Sequence, residues 1–112
     1  MLIITETREI DFEPKIKLIY NQYVNGAMLF VTQVNKFGTF IQAYAENPEE
    51  PPERRVFTIE TKFGERTDEW LDVLARGIVE KLNITVPLML AISMVTRTHE
   101  AYNTILREVE TL

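Results

Sequence analysis

Apolar and polar residues alternate with a period of two through the first half of the chain, and the period lengthens after residue 64. Pro14 opens a strand region running from Ile10 to Val24. In it Ile16, Leu18 and Tyr20 alternate with Lys15, Lys17 and Asn21, the pattern of a half-buried strand. A shorter strand, Leu2 to Arg8, precedes it. Ala27 to Val34 is apolar on both faces until Thr32 and reads as a central strand. Thr39 to Ala45 is a further strand, with aromatic residues at Phe40 and Tyr44. In Val56 to Phe63, Phe57, Ile59, Thr61 and Phe63 alternate with Thr58, Glu60 and Lys62.

Turn residues punctuate these runs. Asn25-Gly26 tolerates positive φ and predicts a type I′ hairpin turn. Asn35-Lys36-Phe37-Gly38 predicts the next turn, and Gly64 ends the last of these strands. Glu46 to Glu53 holds Asn47-Pro48 and Pro51-Pro52 among four glutamates, which predicts a solvated, partly disordered loop.

Helical spacing then takes over. Thr67 is placed to cap a helix whose first turn carries Asp68 and Glu69, matching the positive end of the dipole. Leu71, Leu74, Ala75, Ile78 and Leu82 form its apolar stripe, and Asn83 ends it. Val86 to Val95 is continuously apolar and predicts a strand buried on both faces. Thr98 caps a second helix with Tyr102, Ile105, Leu106 and Val109 on one stripe. No internal repeat is visible.

Strands followed by helices imply an α+β fold. The expectation is one domain, residues 1–112. It has an antiparallel sheet of five to six strands, a meander and then helix-strand-helix, with both helices on one face. Two helices cannot cover both faces, yet two strands are apolar on both sides. The other face is therefore expected to meet a partner, either a second copy or a paralogue.

Composition narrows the function. The chain has 112 residues, room for one core. It has no cysteine, which removes disulfides, thiolate nucleophiles and thiolate metal sites, and favours a reducing, cytoplasmic setting. Seventeen acidic against 12 basic residues give a net charge of −5. The longest basic run is Arg54–Arg55, which argues against nucleic acid and anionic membranes as partners. The N-terminus lacks the n- and h-regions of a signal peptide, and Val86 to Val95 is about half a bilayer span. The sequon Asn83-Ile84-Thr85 then reads as a helix exit.

Candidate chemistry is sparse. His99 is either a general base or an exposed residue in the first turn of the last helix, and no orienting partner is evident for a base. Asp68, Glu69 and Asp72 are either a metal cluster or dipole-complementary charge at a helix start. The four glycines are isolated, so no phosphate-cradling loop is present. No catalytic, cofactor-binding or metal site is expected. Gly77, inside a predicted helix, costs about 1 kcal/mol relative to alanine and implies close packing on the sheet or approach by a partner. Trp70 is either core at the helix–sheet seam or a partly exposed anchor.

The segment Leu29-Phe30-Val31-Thr32-Gln33-Val34-Asn35-Lys36-Phe37-Gly38-Thr39-Phe40 carries a resemblance. It is similar to the apolar strand, Val-Thr-Gln and Lys-hydrophobe-Gly-Thr hairpin of the proteasome assembly chaperone 3 family. Phe57 to Lys62 before Gly64-Glu65, Leu82 to Val95, and Leu106-Arg107-Glu108-Val109 are collinear with that family's later elements. The resemblance implies a non-catalytic chaperone without cofactors, in the cytoplasm and extending to the nucleus. It implies pairing with a proteasome assembly chaperone 4-like paralogue and binding of alpha-type subunits while the 20S alpha ring forms.

On that reading Lys36, Phe37, Gly38, Glu49 and Glu50 are the candidates for the alpha-subunit contact. Phe30 and Phe40 are the candidates for dimerisation, as a heterodimer or a homodimer. A rival reading is a roadblock- or longin-like dimeric scaffold of a trafficking or signalling complex, although its element order places a helix earlier. An enzyme is a third reading and requires a pocket with convergent polar groups.

Overall fold

The computed structural model describes residues 2–33, 38–64 and 68–112. The elements run β1 (Leu2–Ile10), β2 (Ile16–Tyr23), β3 (Gly26–Thr32), β4 (Thr39–Ala45), β5 (Phe57–Phe63), α1 (Glu69–Leu82), β6 (Leu88–Ser93) and α2 (His99–Val109). This is the α+β arrangement expected from the periodicities. The first strand extends two residues beyond the predicted Arg8, to Ile10.

The sheet order is β1-β2-β3-β6-β4-β5, so the predicted meander is interrupted. β6 lies between β3 and β4, parallel to the first and antiparallel to the second. Because β4 is also antiparallel to β5, strands β5 and β6 run the same way. Parallel strands need a long crossover, and α1 supplies it, carrying the chain past β4. The strand that is apolar on both sides thus takes a central position.

The β3–β4 connection must therefore pass the end of β6. Gly38, at φ 67°, makes that passage possible: a Cβ there would lie 2.3 Å from the Ile92 carbonyl oxygen. Gln33 pins the crossing from the other side. Its Oε1 accepts from the amides of Val95 and Thr96, both at 2.8 Å, and its Nε2 donates to the Pro14 carbonyl at 2.9 Å. Val34 to Phe37, including the predicted turn residues Lys36 and Phe37, lie outside the described residues.

Two local expectations are corrected. The β2–β3 hairpin turns at Val24-Asn25, and Gly26 already belongs to β3, paired with Tyr23. None of these residues has positive φ, so the turn is not type I′. The Asn-Gly signal sits one residue too late, since Gly26 is taken into the ladder next to β6. At the start of α1, the predicted cap Thr67 lies outside the described residues. Asp68 is the N-cap, accepting from Leu71 N at 3.0 Å. Thr98 caps α2 as expected, accepting from Ala101 N at 3.2 Å. Asn83 ends α1 in the left-handed conformation, φ 51°.

Both helices pack on one face of the sheet. Leu71, Leu74 and Ile78 of α1 and Ile105 and Val109 of α2 share one buried cluster with Leu18, Leu29, Val31, Ile41, Leu88, Leu90 and Ile92. Each such side chain contributes about 1.5–3 kcal/mol by leaving water. Arg8 fastens the edge strand to α2. Its guanidinium donates to the Glu108 and Thr111 carbonyls at 3.0 and 2.8 Å, satisfying groups the helix end leaves open, and it bonds the Glu6 carboxylate at 2.7 Å. The bond to Glu6 holds the Arg8 guanidinium above its ordinary pKa.

Candidate partner interface

The register of the six strands decides which residues share the face away from the helices. One row crosses the sheet as Thr7, Ile19, Phe30, Ala91, Phe40 and Phe63. The next row is Thr5, Asn21, Met28, Met89, Gln42 and Glu60. A third, Glu9, Lys17, Thr32 and Ser93, bounds the apolar strip on the other side. None of the apolar members of these rows belongs to the helix-covered core cluster.

This face has the anatomy of an interface. Its middle is apolar, built from Ile19, Met28, Phe30, Phe40, Met89 and Ala91, and its margins carry Glu9, Lys17, Asn21 and Glu60. A greasy centre with a polar rim is what the buried patch of an association surface requires. The central side chains are half-buried by their neighbours within the sheet; Ala91 alone is fully buried. Phe63 at the β5 edge is 68% exposed. A hollow of about 230 Å³ at one end is lined by Tyr23, Met28, Gln42 and Met89, among others.

The area is of the right order. Six strands spaced about 4.8 Å, each about seven residues long at about 3.3 Å per residue, present a face of about 550 Å² before side-chain relief. Relief raises the accessible area toward the roughly 800 Å² per partner of a standard interface.

The structure brings together two of the predicted contact residues and separates the others. Phe30 and Phe40 flank Ala91 in a single row on the open face. Gly38 precedes the first residue of β4, whereas Glu49 and Glu50 follow its last, so about 20 Å of strand lies between them. The loop holding Glu49 and Glu50 is largely exposed and is braced by side-chain hydrogen bonds. Asn47 bridges it, donating to the Arg54 carbonyl and accepting from Val56 N, and Arg55 ties it to Asn83. Pro52–Arg54 form a 3-10 turn within it.

The other candidates fall into structural roles. Asp68 caps α1 and pairs with Arg97. The His99 ring stacks on Tyr102, with ring centroids 6.1 Å apart. Trp70 is partly buried, packs on the edge of the core and donates from Nε1 to the Thr98 carbonyl at 3.1 Å, which is the seam role weighed for it. Gly77 faces α2 rather than the sheet: a Cβ there would meet the Tyr102 hydroxyl and the Leu106 methyls. Among the described residues no three His, Cys, Asp or Glu side chains gather as a metal site, and no helix is long and apolar enough to cross a membrane. Sequence reasoning missed Met28, Met89 and Ile19 as face residues. Their signal is the same-parity register with Phe30, which needs the strand order to be read.

A family model described as Proteasome assembly chaperone 3 matches residues 29–112, well over half of the chain. The chain belongs to the proteasome assembly chaperone 3 family. That span includes the β3–β4 crossing with Gln33 and Gly38, both helices and the central strand β6. Among solved structures, a chain from a chaperone complex for yeast 20S proteasome assembly shares this fold of the family member. It superposes with a TM-score of 0.69 at 13% identity, over 97% of this chain and 98% of that one. No curated protein matches the chain.

Proposed function

We propose that this chain is a non-catalytic chaperone of 20S proteasome assembly that works as one half of a dimer and helps order alpha-type subunits into their ring. Family membership supports the assembly role. The observation that carries the dimer is the strip of Ile19, Phe30, Met28 and Met89 on the sheet face that neither helix covers. A second sheet laid on it, about 10 Å away, removes that surface from water. A proteasome assembly chaperone 4-like paralogue is the partner of this reading, with a second copy of the chain as the homodimeric alternative.

The alpha-subunit contact is assigned to surfaces outside the dimer face. Release before the particle matures calls for a modest, polar interface. The Glu46–Glu53 loop, with Glu49 and Glu50, has that chemistry, and it stands at the opposite end of β4 from Gly38; Lys36 and Phe37, which precede Gly38 in the sequence, complete the candidate set. The work is done in the cytoplasm, extending to the nucleus, and uses no cofactor.

Co-purification tests the reading. The chain, expressed with the paralogue and with individual alpha-type subunits, is expected to recover both, and Phe30→Glu is expected to lose the paralogue. Recovery of membrane-traffic components instead would favour the scaffold reading.

A further inference from the structure

Away from the sheet, α1 and α2 enclose a groove that the dimer face does not use. A hollow of about 570 Å³ is lined by Glu69, Trp70, Val73, His99 and Tyr102. A second, of about 260 Å³, is lined by Asp72, Val73, Arg76, Gly77, Glu80 and Tyr102. They share Val73 and Tyr102, so they form one groove along the helix pair. On α1 the residues 70, 73 and 77 follow one another at helical spacing, and the missing side chain at Gly77 lets Tyr102 settle deep between the helices.

The floor is apolar and partly open. Val73 is 56% exposed and lines the same hollow as the Trp70 and Tyr102 rings, so the three form a continuous apolar floor. Trp70 is held by its Nε1 bond to Thr98, so its ring is presented without losing further freedom on contact. Rigid tryptophans of this kind are the residues that anchor interfaces.

The charge around the floor selects the occupant. Glu69, Asp72 and Glu80 line it on the α1 side with Arg76 among them, a net of two negative charges. Among the described residues these three carboxylates have no hydrogen-bond or ion-pair partner. A second copy would bring the same acidic rim and a net charge of −5, so like would face like. Lys or Arg on a partner would instead gain by meeting this rim.

We propose that the groove holds a helix of a partner protein, which lays an apolar stripe on Trp70, Val73 and Tyr102 and points Lys or Arg side chains at Glu69, Asp72 and Glu80. This is the helix-in-groove mode of recognition. It rests on the assembly role above, because the partner is the subunit being held; the groove adds a small apolar floor within a charged rim to the polar contact assigned to the Glu46–Glu53 loop, so the whole contact stays modest. The groove and the open sheet face lie on opposite sides, so dimer partner and held subunit bind together without competing.

Site-specific photocross-linking tests it. p-Benzoylphenylalanine is placed at Val73 in one full-length variant and at Phe30 in another. Each is mixed with the paralogous chaperone and with purified alpha-type subunits of the 20S proteasome. Position 73 is expected to link to a Lys- or Arg-bearing helix of an alpha-type subunit. The double variant Glu69→Lys, Asp72→Lys is expected to lower that yield about tenfold or more, with a yield that also falls as salt rises. No adduct at 73, an adduct to a second copy or to an acidic segment, or indifference to charge reversal overturns the proposal. An adduct at 30 without one at 73 removes the groove and leaves the dimer; absence of both removes the assembly reading as well. Circular dichroism and the single tryptophan's emission confirm that each variant is folded.

Discussion

The Tyr102 hydroxyl lies 2.9 Å from the place a Cβ on Gly77 would occupy. The bare Cα of Gly77 thus leaves the space that the Tyr102 hydroxyl and the Leu106 methyls occupy between α1 and α2. The neighbours at Gly77 are the far ends of side chains, the Tyr102 hydroxyl and the Leu106 methyls, which can give way. At Gly38 the neighbour is backbone, the Ile92 carbonyl at 2.3 Å, and it cannot.

These two glycines are therefore expected to respond differently. Gly77→Ala gains about 1 kcal/mol of helix propensity and gives back a similar amount in displacing Tyr102, so its stability stays near that of the parent. Gly38→Ala must shift the β3–β4 crossing off β6 and holds alanine at positive φ, costing about 1–3 kcal/mol or more. Urea unfolding of the two variants side by side checks the ranking.

Gln33 is expected to matter more than its surface position implies. Its carboxamide satisfies two backbone amides and reaches the Pro14 carbonyl, closing three segments around the end of β6. Gln33→Ala should cost about 1–3 kcal/mol. Hydrogen exchange at the Val95 and Thr96 amides should accelerate in that variant, whereas exchange in β1 should not change.

Asp68 closes the start of α1 twice over, through its bond from Leu71 N and its pairing with Arg97. Asp68→Ala is expected to lower stability by about 0.5–2 kcal/mol. Asp68→Asn keeps the cap and loses the ion pair, so it should recover most of the loss. Thermal unfolding of the three proteins separates the two contributions.

Much of this fold was legible in the chain because burial imposes a period. The two-residue alternation of Ile16 to Tyr20 and Phe57 to Phe63, and the stripes of α1 and α2, each follow from one apolar face, and each led to the right element. Strand adjacency leaves no such trace. The apolarity of Ala27–Thr32 and Leu88–Ser93 says that both strands are central, but nothing in either says that they are neighbours. That follows from α1 acting as a crossover past β4, a property of the connection. The Asn25-Gly26 signal located the hairpin but missed its register: the turn closes on Val24-Asn25, and Gly26 pairs with Tyr23 in the ladder. Of the candidate interface, Phe30 and Phe40 could be found from pattern alone. Met28, Met89 and Ile19 become visible only once the register is known.

Placing a charge on the open face is expected to separate folding from association. Met89→Glu and Phe30→Glu sit on the side away from the helices, so helix content and the cooperative unfolding transition should persist. Both variants should nevertheless fail to pair with the paralogue or with a second copy.

Sedimentation equilibrium of the chain, alone and mixed with the paralogue, is the most direct test of whether the face opposite the helices is finished by another polypeptide. The account predicts a two-chain species that Phe30→Glu converts to folded monomers. A parent chain that stays monomeric in both mixtures, or a Phe30→Glu variant that still forms the two-chain species, would contradict it.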